Sequence, residues 1–170
     1  MKNSVYENNI IKYILFLFIA ILISFDQLIK LLVENTLSKY NTVPIIPSVF
    51  HLTYVRNTGA AFGILQNKTF FLILVTAAIL IGVIIFMVIN KRNNKIFLWS
   101  LSLIISGGIG NLIDRIVYGY VIDYIDVRII NFAVFNLADS YVFIGVCLML
   151  FYVLILEPKQ NQKLQGTIDE

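Results

Sequence analysis

Four long apolar runs constrain this chain more than any other feature. They extend from about Ile10 to Val33, Phe70 to Ile89, Ile96 to Ile113 and Asn136 to Leu156. Crossing ~30 Å of hydrocarbon takes about 20 helical residues at 1.5 Å each. The second run has no charge and is long enough alone; the others fit if their polar ends reach the interface. Without closing a barrel, only helices satisfy every backbone group in lipid. The expectation is an all-α membrane protein forming a single membrane-embedded domain over residues 1–170. Its four transmembrane helices fall at about 10–33, 69–90, 96–116 and 136–156. Composition agrees: 59% of residues are hydrophobic and 14% charged, where a soluble domain would be about a quarter charged.

The first run carries Asp26, Gln27 and Lys30. It resembles a secretory signal at its start, but no A-x-A-like site follows and the apolar character resumes after Lys30, so it reads as a retained helix. It is not a lipoprotein signal either, because no cysteine preceded by small residues ends it. The short link Lys91-Arg92-Asn93-Asn94-Lys95 is strongly basic and reads as cytoplasmic by the positive-inside rule. Both termini are then cytoplasmic, and residues 34–68 and 114–135 lie outside. In the first outer loop, Val49 to Val55 is rich in β-branched and aromatic residues. Pro44 and Pro47 precede it and Asn57-Thr58-Gly59 follows. This predicts a short strand or hairpin on the membrane surface, within about 40–66. The tail from Pro158 is polar and reads as flexible.

Several function classes drop out. Lysines and arginines are scattered at a net charge of +3, so a nucleic-acid face is not expected. A lone cysteine, Cys147, and a lone histidine, His51, exclude a disulfide framework and a Cys/His metal cluster. No metal and no cofactor are expected.

On this topology Asp26, Glu34, Asp114, Asp123, Asp126 and Asp139 all fall at the outer helix ends. Asp26 and Lys30 are i,i+4 and share a helix face, as an ion pair would. Asn111, Asp114 and Arg115 share another, and Asn136 and Asp139 are i,i+3. Ser106-Gly107-Gly108-Ile109-Gly110 lets backbones approach closely. Each feature has an ordinary reading. Asp139 suits a helix N-terminus, Asn57-Thr58-Gly59 suits a turn, and Asp126 suits a solvated loop charge. The convergence of all of them at one membrane depth has no such reading.

Two facing carboxylates cannot both ionise readily. One keeps a proton and polarises a carbonyl, while the other takes a proton from a trapped water that attacks it. This chemistry needs neither metal nor nucleophilic side chain, and Asp123 and Asp139 are the candidates. The residues alone leave other classes open. A small ion-coupled transporter or ion-binding membrane protein also places acids in the membrane, although no internal repeat is visible. A structural or assembly subunit without activity is a third reading.

Five motifs in order carry a resemblance over almost the whole chain. They are Asp26-Gln27-x-x-Lys30, Asn57-Thr58-Gly59-Ala60-Ala61-Phe62, Gly110-Asn111-x-x-Asp114-Arg115, Val121-Ile122-Asp123-Tyr124 and Phe135-Asn136-x-Ala138-Asp139. The chain resembles the lipoprotein signal peptidase (signal peptidase II) family. The resemblance implies an aspartic endopeptidase of the bacterial cytoplasmic (inner) membrane, with Asp123 and Asp139 as its catalytic dyad. It implies that Asn57, Gly59, Asn111, Arg115 and Asn136 line or support the site. Asp26 and Lys30 take structural or positioning roles, as does Asp114. The implied substrate is a prolipoprotein bearing a diacylglyceryl-modified cysteine, cut just before that cysteine. A small extracytoplasmic β-cradle, contact with membrane lipids, inhibition by globomycin-type cyclic peptides and action as a monomer are implied as well. Ser106 and Ile109 depart slightly from the family's glycine run, and Tyr124 stands where phenylalanine is frequent.

Overall fold

A computed structural model describes residues 2–60, 64–89 and 94–159, with side chains from residue 10 onward. Four helices and one small sheet make up the chain. They are α1 (Lys2–Leu37), β1 (Thr42–Ile46), β2 (Phe50–Asn57), α2 (Thr69–Ile89), α3 (Lys95–Val117), β3 (Val121–Val127) and α4 (Leu137–Phe151). A π-helical turn, Tyr152–Leu156, continues α4. All four helices are long and apolar enough to cross a membrane, counting Ile10–Leu37 of α1 and Leu137–Lys159 of α4 with its extension.

Helix α3 is the centre of the bundle and packs against the other three. Its buried face runs from Phe97 to Asp114, and a core forms where Leu101 and Ile105 meet Leu15 and Ile19 of α1 and Tyr152. Glycines set the α3–α4 distance. A Cβ on Gly145 would lie 2.8 Å from the Ser100 carbonyl oxygen, and one on Gly107 would collide with the Ala138 carbonyl oxygen. Close approach of this kind stands in for the hydrophobic effect, which does not drive helices together in lipid. The buried serines of α3 return their hydroxyls to their own helix: Ser102 donates to the Leu98 carbonyl at 2.9 Å and Ser106 to that of Ser102 at 2.7 Å. The outward faces are apolar, with Phe70 73% and Leu154 69% exposed. Water would penalise such surface, whereas lipid tails match it.

Four helices are found where four are expected, with bounds that differ at the ends. Helix α1 is longer at both ends, and Asn136 is not in α4 but caps it. The sheet is larger than the expected strand or hairpin. It has three antiparallel strands in the order β1-β2-β3. Its third strand comes from the loop after α3, pairing Val55 with Asp123 and Asn57 with Val121. A β-bulge interrupts β2 between Leu52 and Val55. One sheet face rests on the end of α1, where Ile122 and Tyr124 pack with Val33 and Leu37. The Tyr124 ring therefore belongs to this core. Glu157–Lys159 are helical, against the expected start of a flexible tail at 158. The rest of that tail, most of the basic link (91–93) and Ala61-Phe62 lie outside the described residues.

Candidate active site

The sheet end of the bundle gathers the C-terminal ends of α1 and α3 with the N-terminal end of α4. Every polar residue singled out in the spans lies there, in two linked clusters.

The first cluster surrounds Lys30, which is 2% exposed. Its ammonium lies 2.9 Å from Asp26 Oδ2 and 2.9 Å from Asp114 Oδ2, and it donates to Asn111 Oδ1 at 2.9 Å. Three N–H groups thus meet three acceptors. The expected Asp26–Lys30 pair is present, and Asp114 joins it. Gln27 belongs to the same cluster, donating to Asp114 Oδ1 at 2.8 Å and to the Gly110 carbonyl at 3.1 Å. Sequence reasoning quoted Gln27 without giving it a role. Its signal was a neutral amide beside a charged pair inside an apolar run. Both acids also take main-chain N–H groups: Asp114 Oδ2 accepts from Ile122 at 3.2 Å as well as facing Lys30, and Asp26 Oδ1 accepts from Ala138 at 3.0 Å.

The second cluster holds Asp123 on β3 and Asp139 in the first turn of α4. Asn136 joins them. Its side-chain amide donates to Asp123 Oδ1 at 2.7 Å and to Asn111 Oδ1 at 3.0 Å. Its side-chain oxygen accepts the Asp139 N–H at 2.9 Å, and its own N–H donates to Asp139 Oδ2 at 3.1 Å. This is a capping box, which satisfies two orphan donors of the helix end. Asn111 donates to Asp139 Oδ1 at 2.7 Å and Asn57 to Asp123 Oδ2 at 2.9 Å. Among the described residues no cation lies within ion-pair distance of Asp123 or Asp139.

Burial is the main force raising the Asp123 pKa, and the Asp139 charge adds to it. The Asn57 and Asn136 amides pull the other way, and the result is about 7. The Asp123 carboxyl therefore keeps its proton to higher pH than an ordinary aspartate does.

Both carboxylates open onto one cavity of about 930 Å³. Asn111 and Arg115 share its polar side, and Phe132, Phe135, Val142 and Phe143 its apolar side. Arg115 donates to the Gly59 carbonyl at 2.9 Å, and its buried Nε has no partner. Gly59 itself is turned by Asn57, whose side-chain oxygen accepts the Gly59 N–H at 2.9 Å. A Cβ there would lie 2.7 Å from the Ile64 carbonyl oxygen.

Asp126 departs from its expected reading as a solvated loop charge. It sits in β3 at 8% exposure, opposite His51. It accepts from Thr53 at 2.6 Å and pairs with Arg128 at 3.0 Å. Burial works against its charge, but those two hydrogen bonds prevail and its pKa lies below the usual carboxylate value. The surface-acid rule failed because β3 was not recognised as a strand.

Fold and clusters together define a multi-pass membrane protein with an acid-and-amide site at one end of its bundle. The profile of the family described as signal peptidase (SPase) II matches residues 18–155. The lipoprotein signal peptidase of Clostridioides difficile (strain 630) is 49% identical over 146 residues, 85% of this chain and 97% of its own length. That of Halothermothrix orenii is 45% identical over 138 residues, 81% and 93% of the two chains. A solved structure described as a bacterial membrane enzyme at 1.9 Å resolution matches with a TM-score of 0.75 and 35% identity, over 83% of this chain and 92% of the other. The chain belongs to the signal peptidase II family. It is accordingly a peptidase, which displaces the transporter and the inactive subunit as readings.

Proposed function

We propose that this chain is an aspartic endopeptidase of the bacterial cytoplasmic membrane that cuts diacylglyceryl-modified prolipoproteins just before the lipidated cysteine. The observation that carries the reading is one residue, Asn136, whose side-chain amide donates to Asp123 and whose main-chain N–H donates to Asp139 at the wall of one cavity. Family membership supports the substrate class.

Asp123 and Asp139 are the catalytic pair. Asp139, held by the Asn111 amide and by the Asn136 N–H, takes a proton from a water molecule whose oxygen attacks the scissile carbonyl. Asp123 supplies its proton to the carbonyl oxygen as that oxygen becomes negative. The partnerless Arg115 Nε donates to a substrate carbonyl. Collapse of the tetrahedral adduct returns a hydroxyl proton to Asp123, passes the proton held by Asp139 to the leaving nitrogen and breaks the C–N bond. The signal peptide leaves with a new carboxylate, and the mature chain keeps a free amine on its lipidated cysteine. The acyl chains lie along the apolar wall near Phe143 and Val146, with ~0.8 kcal/mol gained per buried CH₂. The enzyme acts as a monomer with both termini cytoplasmic and the pair at the outer face, and globomycin-type cyclic peptides inhibit it at the same cavity.

The test is cleavage of a lipidated prolipoprotein in detergent micelles by wild type, Asp123→Asn and Asp139→Asn, with thermal denaturation as the folding control. Each variant is expected to fold and to lose at least about 10³-fold in rate, the scale on which cooperating catalytic groups act. A folded variant cutting at near the wild-type rate removes that aspartate from the pair.

A further inference from the structure

Lys30 touches neither Asp123 nor Asp139, yet its two ion-pair partners reach both. Asp114 accepts the N–H of Ile122, the residue immediately before Asp123. Asp26 accepts the N–H of Ala138, the residue immediately before Asp139. The third Lys30 N–H goes to Asn111, which donates to Asp139 and accepts from Asn136, which in turn donates to Asp123. Strand β3 and helix α4 are therefore hung from one ammonium by matching main-chain contacts.

We propose that Lys30, Asp26 and Asp114 form one positioning unit that fixes Asp123 and Asp139 through the N–H preceding each, with the Lys30 ammonium as the charge at its centre. The proposal rests on the reading of Asp123 and Asp139 as the reacting pair.

Three observations support it. All three side chains are buried, with Asp26 and Asp114 at 0% exposure, so their geometry has no solvent-relaxed alternative. Every N–H of the ammonium is used, which leaves no freedom for a second arrangement. Space is also closed around the unit: a Cβ on Gly110 would lie 2.6 Å from Asp26 Oδ2. A purely structural ion pair needs neither main-chain contact. Two carboxylates against one ammonium also make a poor stability device in a buried site.

The charged groups that face Lys30 are Asp26 on its own helix, Asp114 on α3 and Asp123 on β3; Arg115 on α3 faces Asp114, Asp123 and Asp139 of α4, and the phenols of Tyr124 and Tyr141 face Asp26. Removing the ammonium takes away one of the positive charges that favour the Asp123 carboxylate and leaves Arg115. Removing one of the unit's acids does the reverse.

Two variants with opposite expected signs test this, read as kcat, KM and the pH–rate profile in micelles. Lys30→Met should lower kcat at least about tenfold with KM within about twofold, and move the profile about one unit to higher pH. Asp114→Asn keeps an acceptor oxygen for Ile122 but removes a charge, so it should retain more activity and move the profile to lower pH. An unmoved profile in both folded variants overturns the proposal. Should Lys30→Met fail to fold, as an uncompensated buried acid can cause, Asp114→Asn decides alone. An unmoved profile or a lost fold in Asp114→Asn then counts against the unit, because only an acceptor oxygen is asked of that position. If Asp123→Asn cuts normally, the reading of the pair falls first and the proposal with it. An inactive Asp123→Asn beside unmoved profiles sinks the proposal alone.

Discussion

Two pairs of aspartates sit side by side at the sheet end of the bundle, and they differ in what stands between them. Between Asp26 and Asp114 is an ammonium, 2.9 Å from each. Between Asp123 and Asp139 is an amide, the side chain of Asn136 together with its N–H. An ammonium can bind both of its neighbours at once, so the first pair is tied together and suited to bearing load. An amide donates without carrying charge, so it orients two carboxyls while leaving a proton free to sit on either. The second pair also borders the cavity, where water has access, while the first is sealed. Position in the sequence does not separate the two kinds of acid; the bridging group does.

The largest expected effect comes from removing the amide bridge. Asn136→Ala deletes both the donor to Asp123 and the acceptor that caps α4. Cleavage should fall at least about 100-fold, and stability should drop by about 1 kcal/mol for the cap alone. Asn136→Ser separates the two jobs, since a serine hydroxyl still caps a helix but does not reach both acids. Its thermal midpoint should exceed that of the alanine variant by several degrees, with cleavage still low. Activity returning together with stability would reduce Asn136 to a helix cap and erase the difference between the two pairs.

A second effect tests the free proton itself. Asp123 has its pKa raised, first by burial and next by Asp139, to about 7, from an ordinary value near 4. In the sense that applies to a raised carboxyl, the folded state binds the extra proton between those values. Stability from this group is fully present below about pH 4 and is lost as pH rises through about 7. Asp123→Asn should cancel that slope. The variant should gain on wild type from pH 4 to pH 8, by an amount on the order of a few kcal/mol at most. Thermal midpoints of both chains across that range give the answer. A difference that stays flat with pH would mean that folding does not raise the Asp123 pKa.

Much of this was legible before any coordinates. Apolar run length gave the four helices to within a few residues, because lipid leaves the backbone no alternative. The i,i+4 spacing gave Asp26 with Lys30, because that distance is local to one helix. What stayed hidden was mostly non-local. Strand β3 was missed, since Val121-Ile122-Asp123-Tyr124-Ile125-Asp126-Val127 breaks its apolar pattern with two buried acids, and its partners lie some 70 residues away. The third member of the Lys30 cluster, Asp114, joins it from another helix. Main-chain acceptors such as those for Ile122 and Ala138 leave no trace in side-chain identity.

The smallest expected effect belongs to Asp126, the acid outside both pairs. It shares a strand with Asp123 and is nearly as buried, but it has a direct cation, Arg128, at 3.0 Å, and a hydroxyl donor, Thr53, at 2.6 Å. Arg128 is 41% exposed, so solvent screens the pair, and such pairs contribute under about 1 kcal/mol. Because its pKa is depressed, Asp126 contributes stability above the ordinary carboxylate pKa and loses it as pH falls through the lower value. Asp126→Asn should therefore lower the thermal midpoint by a few degrees at most at pH 7 and by nothing measurable at strongly acidic pH. Cleavage should stay within about twofold of wild type, because among the described residues Asp126 neither lines the cavity nor bonds to Asn136. A rate loss comparable to that of Asp123→Asn would instead make Asp126 a working partner, and the sheet, not the helix ends, would hold the reacting acids.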